Sequence, residues 1–173
     1  MRVWTVQPGD VLATLEQEGR LTGDWQRVAP GVRPAYEVMV AEMHRRGIDC
    51  GGRPPVWAWA EPDAGGERVL LTAQLLLSPV EWERGVVVLD LDVPDASVLC
   101  SAYGRWNDFL CDVLEGAPAP AMNWAIGPDD ERGSDCRVQA CLPVVRASWV
   151  VGIRPLEPGP EPEGFVSVPP GFL

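Results

Sequence analysis

Gly85-Val-Val-Val-Leu-Asp-Leu-Asp-Val-Pro94 runs into Asp-Ala-Ser-Val-Leu-Cys100 and then into Ser101 to Glu115, and this stretch decides the fold. Val86 to Val88 is solidly apolar, as in a strand covered on both faces. Leu89-Asp90-Leu91-Asp92 then alternates, as in a strand with one wetter face. Beyond it Tyr103, Trp106, Phe109, Leu110, Val113 and Leu114 recur at helical spacing, with Ser101 placed as N-cap and Gly116 as the stop. The stretch predicts the central strand of a sheet and the best-formed amphipathic helix of the chain. The aromatic stripe of that helix is expected to pack on the sheet through strand 85–92.

Upstream, residues 2–6 (Arg-Val-Trp-Thr-Val) alternate and are rich in β-formers. They predict an N-terminal strand with Val3 and Thr5 on one face and Trp4 on the other. Pro8 and Asp10 suit the first turn of a short helix striped by Val11, Leu12 and Leu15 and stopped at Gly19. Residues 20–32 read as a loop. A second helix begins at Arg33-Pro34, with Tyr36, Met39, Val40 and Met43 on one face and Gly47 as its stop. Val56-Trp-Ala-Trp-Ala60 is a second strand, with both tryptophans on one face and both alanines on the other. Residues 61–66 form an acidic turn. Residues 68–78 are open between helix and strand, because leucine and alanine favour a helix while the run is short and uniformly apolar. Ser78 to Glu83 reads as a turn able to start one turn of helix.

Downstream, 117–135 reads as a mobile loop, and 137–143 and 148–153 as two further strands joined through Arg146. From Pro155 the chain holds six prolines without periodicity. The expected architecture is therefore α+β. A mixed, largely antiparallel sheet of five or six strands carries about three packed helices over residues 1–154, and a proline-rich acidic tail follows over 155–173.

The 173 residues fit one domain, which buries roughly 70% of its unfolded surface without needing disulfides or a structural metal. No run reaches the roughly 20 apolar residues of a membrane helix. The opening passes straight into a strand pattern with no leader, so the cytoplasm is the expected compartment. Net charge is −11, and all 14 basic residues are arginine. Such a chain repels nucleic-acid backbones, and the absence of lysine excludes Schiff-base chemistry and a phosphate-loop lysine. Cys50, Cys100, Cys111, Cys136 and Cys141 include no C-x-x-C pair, so free thiols in a reducing compartment are expected, and no metal site.

Chemistry has few footholds. G-x-S-x-G, H-E-x-x-H, G-x-G-x-x-G and phosphate-loop patterns are all missing. His44, the one histidine, falls at a helix end, where a cation complements the dipole. Asp90 and Asp92 share a face of their strand, which fits either a solvated strand end or a pair able to bind a cation or act as acid and base. Trp57 and Trp59 stand roughly 7 Å apart along their strand, as core under a helix or as a stacking wall for a planar ligand.

Val3-Trp4-Thr5-Val6-Gln7-Pro8, Pro55-Val56-Trp57-Ala58-Trp59, Asp90-Leu-Asp-Val-Pro94 before Trp106, and Val138-Gln139-Ala140 together resemble one pattern. It is that of an uncharacterised bacterial family of unknown function opening on a W-T-x-Q-P strand, covering roughly residues 1–154. More distantly, the order of strands resembles the ADP-ribosyltransferase scaffold. That resemblance implies NAD as cofactor, Arg2 or Thr5 on the first strand, Trp57 and Trp59 in the middle, and Gln139 at the place of the family's glutamate. A glutamine hydrogen-bonds a ribose but carries no charge to stabilise an oxocarbenium ion. The resemblance thus implies a weak or inactive transferase, or a binder of a nucleotide-like ligand. The residues alone also fit a non-enzymatic acidic domain engaging a basic protein partner, and, less well, a hydrolase built on Asp90 and Asp92.

Overall fold

In a computed structural model, residues 1–60, 67–118, 120–127 and 138–157 are described. In chain order the elements are β1 (Arg2–Pro8), α1 (Val11–Glu18), β2 (Arg20–Leu21), α2 (Arg33–Arg45), β3 (Val56–Trp59), α3 (Glu67–Leu76) and α4 (Pro79–Glu83). Then come β4 (Val86–Asp92), β5 (Leu99–Ala102), α5 (Tyr103–Leu114), β6 (Val138–Leu142), β7 (Val145–Arg146) and β8 (Val150–Leu156). Six strands form one sheet in the order β5-β6-β3-β1-β4-β8, and β2 pairs with β7 in a small ribbon. The class is α+β, as expected. Every pairing among the described residues is antiparallel.

Strand parity divides the core. Val3, Ala58, Leu89, Leu91, Ala140 and Leu142 face one side, where Val11 and Leu15 of α1 and Val145 of the ribbon cover them. Trp4, Val6, Trp59, Val86 and Val88 face the other side beneath Val69, Ala73 and Leu77 from α3 and its C-terminal edge. On that same side Leu99 and Cys141 meet Met39 and Met43 of α2 and Trp106, Phe109 and Leu110 of α5. Val86 to Leu91 is thus covered on both faces, which is why its sequence is almost continuously apolar.

The helix ends follow local chemistry. α2 stops in a Schellman arrangement, in which Gly47 N–H donates to His44 O at 2.9 Å and Ile48 N–H to Met43 O at 2.9 Å. Gly47 takes φ 81°, and Ile48 is buried in the cluster that holds Met43. α4 starts in a capping box: Ser78 Oγ accepts from Glu81 N–H at 3.4 Å, and Glu81 Oε2 accepts from Ser78 N–H at 2.8 Å.

Several expectations are corrected by pairing. Strand 85–92 is next to the sheet edge, and β1 and β3 occupy the middle. Pro8 ends β1 opposite Val86 instead of opening α1. Residues 20–32 contain β2 and a 3₁₀ turn at Trp25–Arg27, and the ambiguous run after residue 66 is the helix α3. Ser101 does not cap α5. It is buried in β5 opposite Gln139, and the helix follows Ala102 without a side-chain cap. The stripe of α5 packs on Leu99, Cys141 and α2, while β4 lies under α3.

Within the 117–135 loop, the described residues 120–127 lean on the domain, with Trp124 centred 6.4 Å from Trp106. β8 continues through Pro155 and Leu156, two residues expected in the tail, and Pro155 is admitted because β8 is an edge strand. The acidic turn at 61–66, the segment 128–137 and the chain after Glu157 lie outside the described residues. No described helix is long and apolar enough to cross a membrane.

Candidate functional site

Direct cross-strand partners share a face, so the registers define a row of side chains across the sheet. Ser101 of β5 stands opposite Gln139 of β6, Gln139 opposite Trp59 of β3, and Trp59 opposite Trp4 of β1. Trp4 is opposite Asp90 of β4, and Asp90 opposite Gly152 of β8. All six belong to the face covered by α2, α3 and α5.

The aromatic part of this face is continuous. Trp4 and Trp59 have ring centroids 6.1 Å apart, and Trp59 meets Tyr103 edge-on at 5.0 Å. Tyr103, the first residue of α5, also meets Trp57 edge-on at 6.3 Å. Trp57 in turn stacks on Tyr36 at 6.2 Å and meets Trp106 at 5.9 Å. The two tryptophans of β3 therefore share a face, as their spacing predicts, and both are packed by other rings. Trp59 is buried, while Trp57 and Tyr103 are half-buried.

Polar atoms are scarce there and incompletely paired. Gln139, fully buried, donates from Nε2 to Ser101 Oγ at 2.6 Å. Among the described residues its Oε1 has no partner, and neither do Nε1 of Trp4, Trp57 and Trp106, all four atoms being buried. Leaving such a group unpaired costs about 1–3 kcal/mol, and most buried polar groups in folded proteins are satisfied. One acceptor and three indole donors on a single aromatic face are a chemical opportunity for a molecule with both donors and acceptors. Burial also pushes the Tyr36 hydroxyl well above its ordinary value, chiefly by desolvation, so it stays protonated.

The expected site residues separate. Trp57, Trp59 and Gln139 share the aromatic face. Thr5 points to the opposite face, where it is buried, donates to the Trp57 carbonyl at 2.5 Å and accepts from Gln7 Nε2 at 2.8 Å. Arg2 is exposed at the end of β1, with Nε 3.8 Å from Asp92. The first-strand residue beside Gln139 and Trp59 is Trp4, and Ser101 and Tyr103 complete the group. Strand parity already separates Trp4 from Thr5 in the sequence, but only register brings Trp4 to Trp59.

The two aspartates are engaged elsewhere. Asp90 accepts two hydrogen bonds from Arg154, Nε at 3.0 Å and Nη2 at 3.2 Å. A Cβ on Gly152 would lie 3.0 Å from Asp90 Oδ2, so glycine there leaves room for the carboxylate. Asp92 is exposed beside Arg2 and the terminal amine. No group of three or more His, Cys, Asp or Glu side chains able to hold a metal occurs among the described residues. Burial, mainly by desolvation, raises the Cys50 thiol to about 11 and pushes the fully buried Cys141 higher still. Neither is an activated nucleophile.

No curated protein and no solved structure matches the chain. A family described as a domain of unknown function (DUF3841) matches residues 2–114, from β1 through α5. Trp4, Trp59, Ser101 and Tyr103 fall inside that match, Gln139 falls beyond it, and the match ends short of the residue 154 expected from the sequence. With well over half of its length matched, the chain belongs to this DUF3841 family of unknown function.

Proposed function

We propose that this domain binds a planar, nucleotide-like ligand, NAD or a fragment of it, on the aromatic face of an ADP-ribosyltransferase-like frame. The observation that carries the reading is the row Ser101–Gln139–Trp59–Trp4, with Gln139 Oε1 and Trp4 Nε1 both buried without partners among the described residues. A carboxamide or purine edge offers both a donor for Oε1 and an acceptor for an indole N–H. The half-buried Tyr103 and Trp57 supply rings against which such a plane stacks.

Binding is favoured over catalysis because the row carries no free carboxylate. Gln139 is neutral, and the Asp90 carboxylate is held by Arg154. Without a negative group, a developing oxocarbenium ion gains only dipolar stabilisation. A reducing compartment such as the cytoplasm suits the free Cys50, Cys100, Cys111 and Cys141.

Titration of NAD, ADP-ribose and AMP against tryptophan fluorescence tests the reading. Saturable quenching that is lost in Gln139→Leu, with that variant still melting cooperatively, supports it. Absence of both quenching and thermal shift at millimolar ligand overturns it.

The second reading is a non-enzymatic domain that engages a basic protein. Net charge of −11 and the exposed Val151 and Ile153 on edge strand β8 favour it. Salt-sensitive co-purification with a basic protein, lost on Ile153→Asp, would select it.

A further inference from the structure

The β2–β7 ribbon places two arginines directly against each other. Arg20 is the cross-strand partner of Arg146, and Leu21 of Val145. The arrangement is built by the backbone. Gly19, with φ 69°, turns the chain out of α1, and its carbonyl accepts from Ala147 N–H at 2.9 Å. Val145 is fully buried and Leu21 packs on the same core, so the ribbon cannot slip to separate the charges. Direct cross-strand partners have Cβ atoms about 4.5–5.5 Å apart, and like charges at that spacing are destabilising.

In a chain with 25 acidic residues and 14 arginines, chance alone favours finding a carboxylate beside each arginine. Arg27, Arg33, Arg45, Arg46 and Arg154 all have one. Among the described residues no carboxylate pairs with Arg20 or Arg146, and both are exposed. Arg146 instead lies over the Trp149 ring, 5.7 Å from its centroid. Trp149 is half-buried against the core cluster that holds Val145, so it forms a fixed platform for that guanidinium.

We propose that Arg20 and Arg146, with Trp149 as platform, form an anion site for the phosphate or diphosphate group of a small soluble ester. Two guanidinium forks on one side of a narrow ribbon offer paired N–H donors to tetrahedral oxygens, which arginine geometry suits better than a point charge does. A dianion between them converts mutual repulsion into attraction. The site is on the α1 face of the sheet, opposite the aromatic row, and does not depend on the ligand proposed there.

The test compares pyrophosphate, inorganic phosphate, adenosine and a glutamate-rich peptide at matched ionic strength in sodium chloride. Melting temperature and Trp149-sensitive fluorescence are followed. Wild type should gain about 3–6 °C at tenfold excess of pyrophosphate over its Kd. Adenosine, which lacks phosphate, should leave the fluorescence of this site unchanged. Arg146→Ala and Arg20→Ala should each abolish the pyrophosphate shift while melting, without ligand, at or above wild type, because each removes the repulsion. Trp149→Phe should keep most of the shift, since the ring platform persists. An equal pyrophosphate shift in both arginine variants overturns the proposal. So does stabilisation by chloride to the same extent, or response to the glutamate peptide but not to pyrophosphate. A lower melting temperature in both variants without ligand contradicts the repulsion on which the inference rests.

Discussion

Gln139 and Ser101 form a buried side-chain pair across β5 and β6, Nε2 to Oγ at 2.6 Å, in which the other amide atom of Gln139 has no partner among the described residues. Ser101→Ala strands the amide nitrogen as well and should cost about 1–3 kcal/mol. Gln139→Leu removes both amide groups but leaves the buried Ser101 hydroxyl without its donor, so it should cost no more than Ser101→Ala. A double-mutant cycle by urea denaturation checks this, and a larger loss for Gln139→Leu than for Ser101→Ala contradicts it.

Trp106 anchors α5 to the sheet side of the fold. It is fully buried and touches the rings of Tyr36, Trp57, Phe109 and Trp124. Trp106→Ala should cost about 3–5 kcal/mol, a large share of a typical total of about 5–15 kcal/mol. Trp106→Phe, which also deletes the unpaired indole N–H, should recover much of that loss. Chemical denaturation with near-UV circular dichroism reads both.

Two glycines should respond with opposite signs. A Cβ on Gly23 would meet the Pro54 carbonyl oxygen at 2.1 Å, which forces two backbone segments apart. Gly23→Ala should therefore lose at least the roughly 1–3 kcal/mol typical of overpacking. Gly104, in the first turn of α5, has nothing within 4 Å of an added Cβ. Gly104→Ala should gain about 0.4–1 kcal/mol, mainly by restricting the unfolded chain. Melting curves of the two variants side by side settle the signs.

The Glu42 carboxylate accepts from Arg45 through both oxygens and from Arg46 Nε, each at 2.7 Å. The Arg45 hydrogen bond leads in lowering its pKa from 4.5 to about 2, with Arg46 helping and burial opposing. The unfolded chain then binds more protons than the folded one between about pH 4.5 and 2. The stabilisation from Glu42 is complete above that window and is lost as pH falls through it. Glu42→Gln should flatten the decline of stability across the window, which urea titrations at several pH values would show. An unchanged slope refutes the assignment.

What the sequence carried by itself is what local physics controls. Alternation in 2–6 and 56–60 marks strands and correctly puts Trp57 and Trp59 on one face, because adjacent side chains on a strand must alternate. Three-to-four spacing marks α1, α2 and α5, and Gly19 and Gly47 mark where two of them end. The tail boundary, the helical state of α3 and the place of Ser101 were less legible. Each depends on a partner far along the chain: Pro155 on Val87, α3 on the Trp4 and Val88 face, and Ser101 on Gln139. Of the residues singled out in the sequence, Trp57, Trp59 and Gln139 do share one face, while Thr5 lies on the other and its neighbour Trp4 stands beside Trp59. Tertiary structure alone decided that row and the Arg20–Arg146 pair, because strand order and register are set by burying all apolar faces together, which no local stretch encodes.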